Sequence, residues 1–564
     1  MLFRSDRLSH WFRDRFPVLH ALAPAVRSEA ATTLGEKCPH YHRCYYHSAV
    51  AQAREADVLV INQSLAFAWP ARYPKLDHLV LDEAHEVEDV ATAALSSELS
   101  DHAFVRLAER LHGRDGRRGL FSELRRALFA SRKAEARVLM SEIDGALASV
   151  NQAARALGEF VMELCEPAAA GASEDDESAY APELRITPEV RRSARWTPVR
   201  AGLLDARESL QSLHKKLTVG VAEVLPELAV RIPPLERELA GGVAEVQELA
   251  TLAAELSDDP ADGRCYAATA VPRRQRWTLI AQPVNVAGYV SRDFAQHKRS
   301  LVLTSATLST GGERTPYVLN RLGLDGRNEG IAAPKLLRAP TPFDLRKQAL
   351  VVLVTDAPRA HEPAFIEWAA TRMAGMAQVM GGRVLGLFAS TRRLERVADV
   401  LQTKLEPQGI EVMRQSRGHG RSLAARQEKD TGTVLLGTKS FWQGVDIPGR
   451  GVGCVFIDKL PLEPASRPLV ASREETIARG GNAHLGFLQY RLPRSLLMLR
   501  QGVGRLIRSH GDRGVVVIAD PGHPSYRQAL FDALAGYRVD LLPWSEARVR
   551  LFTTLDEMGL IRRK

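Results

Sequence analysis

Short apolar runs and long amphipathic stretches alternate along the chain. Apolar runs bounded by polar residues occur at Val58–Ile61, Leu79–Leu81, Trp277–Val284 and Ser300–Leu308. Later runs with the same pattern read VLGLFAS, VLLGTKS, CVFIDKL and VVVIADP. Such runs are typical of buried parallel strands. Because helical patterns separate them, the chain is predicted to be an α/β protein with parallel sheets.

The segment from about Ala91 to about Leu256 differs from the rest of the chain. It is rich in Ala, Leu, Glu and Arg, with apolar residues three and four positions apart, which predicts amphipathic helices. Further on, Pro334, Pro340 and Pro342 mark a boundary between two α/β layers. The predicted units are a cysteine-containing loop region (1–50), the first part of the first layer (51–95), an all-helical insertion (96–275), the second part of the first layer (276–335) and the second layer (336–564).

Composition limits the classes of protein to consider. The 564 residues are 25% charged and 45% hydrophobic, as in a globular protein. No apolar run reaches the roughly 18 residues that span a bilayer, and the opening residues do not resemble a signal peptide. We therefore expect a cytoplasmic protein that crosses no membrane. The net charge of +9 favours a polyanionic partner.

The residues after the Leu79–Leu81 run carry the first candidate chemistry. Asp82 and Glu83 stand at the carboxyl end of this predicted strand, where open α/β sheets gather their ligands. One carboxylate, assigned to Asp82, can hold Mg²⁺ through its water shell. The other, assigned to Glu83, can orient and deprotonate an attacking water during phosphoanhydride hydrolysis. A lone Asp-Glu pair more often just starts a helix, but Asp82-Glu83-Ala84-His85 after a buried strand favours a nucleotide site.

Four later strings follow this tetrapeptide in order. They are TSATL at Thr304–Leu308, LFASTRRLERVADVL at Leu387–Leu401, GTKSFWQGVDIPG at Gly437–Gly449 and QGVGRLIRS at Gln501–Ser509. The tetrapeptide resembles the DEAH box of the superfamily 2 helicases, and the four later strings resemble motifs III to VI of the same superfamily. The string CPHYHRCYYHSAVAQAREADVLVINQSLAFA is similar to the DinG branch of the DinG/XPD helicases. This resemblance covers nearly the whole chain and implies two RecA-like motor domains, the first incomplete, with an inserted helical arch.

The resemblance implies a role for each matched residue, with ATP and Mg²⁺ bound between the two motor domains. The residues expected to bind nucleotide are Asp82, His85, Gly444 and Asp446, and the expected catalytic residues are Glu83, Gln501, Arg505 and Arg508. The two arginines are expected to share one helix face and to act as arginine fingers. The residues expected to contact single-stranded DNA are Thr304, Ser305, Thr307, Ser390, Thr391 and Trp442. For Trp442, stacking on bases and a place in the core are equal alternatives.

Cys38 and Cys44 are the remnant of a cluster site in this interpretation. The DinG branch holds a [4Fe–4S] cluster with four thiolates, and Cys38 and Cys44 fit one interval of its spacing. Thr33 stands where the preceding cysteine is expected, and a threonine cannot replace a soft thiolate ligand. We therefore predict that no [4Fe–4S] cluster is bound. A zinc site formed with neighbouring histidines is the alternative.

A phosphate-binding loop is the missing part of the motif set. The pattern Gly-x4-Gly-Lys-Ser/Thr does not occur, and the nearest string, Gly432–Ser440, reads as a strand. We expect that the family's opening segment is missing, so that this ATP-dependent DNA helicase, of 5′→3′ polarity by resemblance, is inactive as given. Its expected partners are single-stranded and forked or otherwise structured DNA, bound by a monomer. The alternative hypothesis is an ATP-independent nucleic-acid-binding or scaffold protein derived from a helicase.

Overall fold

The computed structural model describes residues 41–70, 73–113, 119–130, 134–171, 183–220, 233–310, 317–415, 432–442, 451–479 and 481–562. The strands are β1 (His78–Leu81), β2 (Ser97–Ser100), β3 (Glu183–Arg185), β4 (Arg264–Val271), β5 (Arg276–Pro283), β6 (Ser300–Leu303), β7 (Ala349–Val354), β8 (Val384–Leu387), β9 (Glu411–Arg414), β10 (Thr433–Gly437), β11 (Cys454–Lys459), β12 (Gly514–Asp520) and β13 (Arg538–Leu542).

The α-helices lie between and around these strands. They are α1 (Tyr45–Glu55), α2 (Gln63–Phe67), α3 (Val87–Ala94), α4 (Asp101–His112), α5 (Leu120–Ala130), α6 (Ala134–Gly171), α7 (Pro188–Arg192), α8 (Trp196–Lys215), α9 (Pro233–Ser257), α10 (Tyr317–Arg321), α11 (Leu345–Gln348), α12 (Ala364–Met380), α13 (Thr391–Leu405), α14 (Lys439–Trp442), α15 (Pro468–Ala478), α16 (Ala483–Gly486), α17 (Leu492–Val503), α18 (Arg527–Ala533) and α19 (Trp544–Glu557). Among the described residues, none of the helices combines the length and the apolar composition that a membrane span requires.

The first layer is built around two parallel strands that lie far apart in the chain. β1 pairs with β6 over all four residues of each strand. Because side chains alternate along a strand, Leu79 and Leu81 point into a core shared with α2, α3 and α10. On the opposite face, Val80 is 64% exposed and Val302 is 50% exposed. The described part of this sheet is therefore covered on one face.

The apolar run at Val58–Ile61 is the first prediction that the structure contradicts. This segment forms neither strand nor helix, and Val60 is 95% exposed. A parallel strand needs a neighbour that completes its hydrogen-bond ladder. Among the described residues, the sheet of the first layer consists of β1 and β6 alone, so no paired neighbour stabilises a strand at this position.

The segment between α3 and β6 contains an antiparallel sheet as well as helices. Its strand order is β2-β5-β4-β3, and helices α4, α6, α8 and α9 pack on it around Phe104, Trp196 and Trp277. The prediction of an all-helical insertion is therefore wrong, and the run at Trp277–Val284 belongs to this sheet rather than to the first-layer sheet. The alanine-rich sequence of β4 favours a helix locally, but eight paired residues with β5 outweigh that preference.

The second layer is a parallel sheet with both faces covered. Its seven strands have the order β13-β7-β12-β11-β8-β10-β9. Helices α12, α13 and α19 pack on one face, and α14, α17 and α18 pack on the other. Burial on both faces explains why β7, β8, β10 and β12 are continuous apolar runs. The predicted fold class, an α/β protein with parallel sheets, is confirmed.

The two layers are joined by residues 331–341, which form neither helix nor strand. This is the proline-containing segment at which the boundary between the layers was predicted. The bounds of the five predicted units stay predictions.

A buried charged cluster lies where the layers meet. Arg321 of α10 donates from Nε to Glu88 Oε1 of α3 at 2.9 Å, and Arg473 Nη1 of α15 lies 3.3 Å from the same oxygen. Burial alone raises the pKa of Glu88, but the two guanidiniums hold this pKa below its usual value. The carboxylate therefore stays ionised in the interior and compensates two cations.

Arg473 connects three parts of the chain through its remaining donors. Its Nη2 donates to the Thr92 hydroxyl of the first layer at 2.7 Å, and its Nε donates to the Val284 carbonyl at the end of the insertion at 3.0 Å. Its Nη1 donates to the Tyr490 hydroxyl of the second layer at 2.9 Å. One fully buried side chain thus fixes the first layer, the insertion and the second layer together.

Replacing Glu88 by Gln should destabilise the protein strongly. The amide keeps the shape of the side chain but leaves Arg321 and Arg473 buried without a counter-charge. Breaking a buried pair on one side typically costs about 3–5 kcal/mol, and we expect a loss of this size in the first unfolding transition in urea. Glu189→Gln, which breaks an exposed pair with Arg192, is the control and should change that transition little. Equal losses in the two variants would contradict the assignment.

Candidate functional site

The DEAH segment, residues 82–85, leaves the carboxyl end of β1 in a strained turn. Glu83 has φ of 50° and ψ of 46°, a left-handed conformation that residues other than glycine rarely adopt. Backbone hydrogen bonds hold the turn from both sides: the Thr304 N–H donates to the Leu81 carbonyl at 2.9 Å, and the Ala84 N–H donates to the Thr304 carbonyl at 3.0 Å. Both carboxylates of the segment are exposed at the sheet edge.

Gln63, the first residue of α2, contacts this turn. Its side-chain amide donates to the backbone carbonyl of Asp82, and it lies 3.4 Å from the carbonyl of Glu83. Asn62 caps the same helix by accepting the N–H of Leu65 at 2.9 Å. No role was predicted for Gln63 from the sequence. The capping pattern signals a helix start there, but only tertiary structure places the helix beside the DEAH segment.

A chain of polar side chains joins Glu83 in the first layer to Gln501 in the second. Ser305 Oγ lies 3.4 Å from Glu83 Oε2 and 2.9 Å from His85 Nδ1. The Gln501 amide contacts His85 Nε2 and also donates to the Thr307 hydroxyl at 3.1 Å. Five predicted site residues, taken from three separate strings, therefore meet in one hydrogen-bonded chain.

His85 is the centre of this chain and is neutral. Burial first, and then the nearby Arg494, lower the pKa of His85 to about 4, although the carboxylates of Asp89 and Asp82 oppose the shift. Because the Gln501 Nε2 group that faces the ring can only donate, we assign the ring proton to Nδ1, from which it is donated to Ser305. The ring thus connects the two layers without placing a charge between them.

Arg505 and Arg508 follow helix α17 and do not lie on it. The helix ends at Val503, with a glycine on each side that weakens the helical conformation. The prediction that the two arginines share a helix face is therefore wrong. Arg505 donates from Nε at 3.0 Å and from Nη2 at 2.7 Å to the Trp442 carbonyl. Burial lowers the pKa of Arg505, and the carboxylate of Glu83 across the cleft raises it.

Arg508 lies in the same turn, which is anchored at its far end. Its backbone N–H donates to the Asp512 carboxylate at 2.9 Å, and the Ser509 N–H donates to the same oxygen at 2.7 Å. The Gln348 side chain donates to the Asp512 carbonyl at 2.9 Å. Burial lowers the pKa of Arg508, while Asp512 raises it.

Two residues predicted to contact DNA have structural roles. Ser390 is buried, and its hydroxyl accepts the Arg393 N–H at 3.3 Å as the cap of α13. Trp442 is 1% exposed, and its ring lies against Gly502. The prediction that Trp442 stacks on bases is wrong because its ring has no face open to solvent. The alternative interpretation, that Trp442 is a core residue, agrees with its burial.

Several predicted site residues lie outside the described residues. They are Gly444, Asp446 and Cys38. Cys44 is half-buried immediately before α1. The nucleotide contacts of the first two residues and the expectation that no [4Fe–4S] cluster is bound stay predictions.

The neutral state of His85 makes stability depend on pH. In the unfolded chain the ring takes up a proton near its usual pKa of 6.5, whereas in the folded protein it does so only near pH 4. Stability should therefore be lost as the pH falls from about 6.5 towards 4, and this contribution is fully present above that range. Urea midpoints measured across this range should fall less steeply for His85→Gln than for the parent. Identical slopes would show that the ring does not titrate in this way.

The chain is similar to known helicases. The Helicase C-terminal domain family matches residues 373–536. The ATP-dependent DNA helicase YoaA of Escherichia coli is 27% identical over 506 residues, covering 88% of this chain and 69% of that protein. The 3'-5' exonuclease DinG of Bacillus subtilis is 32% identical over 247 residues, covering 43% of this chain and 26% of that protein. A solved structure of an XPD helicase has a TM-score of 0.48 and 14% identity, covering 88% of this chain and 75% of that one. These similarities support a DinG/XPD-like helicase of superfamily 2.

Proposed function

We propose that this chain works as an ATP-dependent DNA helicase of the DinG type, in which ATP hydrolysis drives movement along single-stranded DNA and unwinding. The observation that supports this most is the hydrogen-bonded chain from Glu83 through Ser305 and His85 to Gln501. A motor must couple chemistry on one side of its cleft to movement of the other side. This chain of side chains links the two layers at the DEAH carboxylates. The expected polarity, 5′→3′, comes from the family resemblance.

The DEAH carboxylates fit a nucleotide bound with magnesium. Asp82 and Glu83 are both exposed, and carboxylate oxygens are ligands that Mg²⁺ accepts, directly or through water. Asp82 would hold the metal through its water shell. Glu83, which is fixed by its strained backbone and by Ser305, would accept a proton from the attacking water. ATP as the substrate would supply the phosphoanhydride bond whose hydrolysis drives movement.

We propose that Arg505 acts on charge that develops on the phosphate. Its guanidinium is held by the Trp442 carbonyl and interacts with Glu83 across the cleft. Because burial disfavours its cation, a nearby anion would be bound more tightly there than at an exposed arginine. Arg508 is proposed for the same role from the family resemblance. The hydrogen bond between Gln501 and His85 would form or break as the cleft closes or opens.

Single-stranded DNA is the proposed partner, and forked or otherwise structured DNA is the proposed substrate for unwinding. Thr304 is exposed and Thr391 is half-buried, so their hydroxyls can reach phosphate oxygens. Ser305 and Thr307 belong to the hydrogen-bonded chain and would couple the DNA side to the nucleotide side. We propose a cytoplasmic monomer.

An ATP-independent nucleic-acid-binding or scaffold protein is the second candidate, and one feature of the sequence favours it. The 564 residues contain no Gly-x4-Gly-Lys-Ser/Thr loop, whose backbone and lysine bind phosphates in related motors. The nearest string, Gly432–Ser440, contains the buried strand β10 instead. We therefore propose that the chain by itself hydrolyses ATP slowly.

Glu83→Gln should separate the two candidates in a version of the protein extended by a segment that supplies this loop. The extended parent should hydrolyse ATP at about 1–100 s⁻¹ when DNA is present, and the unextended chain should not. The variant should retain ATP binding but lose hydrolysis, because an amide cannot accept the proton of water. Glu98→Gln, a change at an exposed glutamate of β2, is the control. Hydrolysis at the parent's rate by the Glu83 variant would remove Glu83 as the base.

The chain as given should bind a single-stranded oligonucleotide with strong dependence on salt. Counterion release predicts a slope of about −0.7 per phosphate contact when log affinity is plotted against log salt. Thr304→Ala should weaken binding by about 1 kcal/mol, roughly fivefold, through one lost hydrogen bond. Thr403→Ala, at an exposed position of α13, is the matched control. Fluorescence anisotropy measures both effects, and salt-independent binding or no binding at low salt would count against the proposal.

A further inference from the structure

A cavity lies at the edge of the seven-stranded sheet where its strands begin. β13, β7 and β12 are neighbours in the sheet, and a cavity of about 260 Å³ is lined by residues at their starts. Ala349 begins β7, Arg538 begins β13, and Arg513 immediately precedes β12. All strands of this sheet are parallel, so the cavity lies opposite the edge that carries Ser390. It is therefore separate from the candidate nucleotide site.

The lining of this cavity is strongly positive. Its charged residues are Arg346, Lys347, Arg513, Arg538 and Glu557. Lys347 pairs with the aspartate three residues before it at 2.9 Å. Within the described part of the chain, no carboxylate lies within ion-pairing distance of the three arginines. Like charges that share one cavity repel each other, and an anion bound among them would relieve that repulsion.

Thr554 of α19 adds a buried polar group to the same cavity. Thr554 is one of the residues that line the cavity, and it is 2% exposed. Its hydroxyl has no hydrogen-bond partner among the described residues. A buried hydroxyl without a partner costs free energy, and such groups in folded proteins usually have a partner. The unpartnered hydroxyl and the arginines are separate observations at the same cavity.

We propose that this cavity binds a phosphate group. A phosphate is a compact anion with several acceptor oxygens, so it can take hydrogen bonds from guanidinium groups and from the Thr554 hydroxyl together. Glu557 also lines the cavity, and its negative charge opposes part of the attraction for an anion. The phosphate belongs either to a small phosphorylated molecule or to the backbone of a nucleic acid, and both sources present the same chemistry to the arginines.

The binding of inorganic phosphate to the full chain tests the proposal directly. Thermal unfolding is measured with sodium phosphate and with sodium chloride at the same ionic strength. Phosphate should raise the Tm by several degrees over chloride, because a ligand that binds only the folded state stabilises it by mass action. Line broadening in ³¹P NMR provides a second measurement of binding.

Matched variants assign the effect to the cavity. Arg513→Gln combined with Arg538→Gln should abolish the phosphate shift. Arg527→Gln combined with Arg548→Gln removes the same charge from exposed positions of the same layer that do not line the cavity, and it should keep the shift. Thr554→Val should leave the Tm in chloride unchanged or raised, because the unsatisfied hydroxyl is removed, but it should weaken phosphate binding several-fold.

The outcomes distinguish the two sources and the failure of the proposal. If the Arg513/Arg538 double variant also binds a single-stranded oligonucleotide more weakly than the Arg527/Arg548 control, the site takes backbone phosphates. If oligonucleotide binding is equal but the phosphate shift is lost, the site takes a free phosphorylated molecule. The proposal would be overturned if the Tm of the parent were the same in phosphate as in chloride. It would also be overturned if phosphate raised the Tm of both double variants equally. Circular dichroism confirms that each variant is folded.

Discussion

The charge buried among Glu88, Arg321 and Arg473 determines how the parts of this molecule meet. An isolated charge in a protein interior costs several kcal/mol, so these groups cannot separate unless water enters between the layers. Arg473 is also bonded to the end of the insertion and to the second layer. Glu88 follows the DEAH segment by only a few residues. The same cluster therefore fixes the start of α3 and keeps His85 opposite Gln501.

Two kinds of contact join the layers within this short stretch of chain. The cluster around Glu88 is charged and buried, and it resists separation. The hydrogen bonds of His85 are neutral, because burial holds the ring unprotonated, and neutral hydrogen bonds contribute only about 1 kcal/mol each in net terms. One contact thus holds the layers in register while the other can rearrange at small cost. A cleft that opens and closes around a ligand needs both properties.

Much of the architecture was predictable because it depends on local pattern. β8, β10, β11 and β12 were recognisable as continuous apolar runs, since both of their faces are buried. The errors have tertiary causes. The strand β4 is alanine-rich and is stabilised by pairing with β5, the helix before Arg505 ends at flanking glycines, and Trp442 fills the space above Gly502. The contact of Gln63 with the DEAH turn joins elements that no local pattern connects.

The insertion has a consequence for how the chain folds on the ribosome. His78 in β1 and Ser300 in β6 contact each other across 222 residues, so at synthesis rates of about 5–20 residues per second β1 waits roughly 10–45 s for its partner. During this time the insertion can fold around its own core. Its first strand pairs with its last, Ser97 beside Ala281, just after α3 and shortly before β6. Folding of the insertion therefore brings the two ends of the segment between β1 and β6 close together before β6 pairs with β1. Little chain entropy then remains to be lost when the first layer forms.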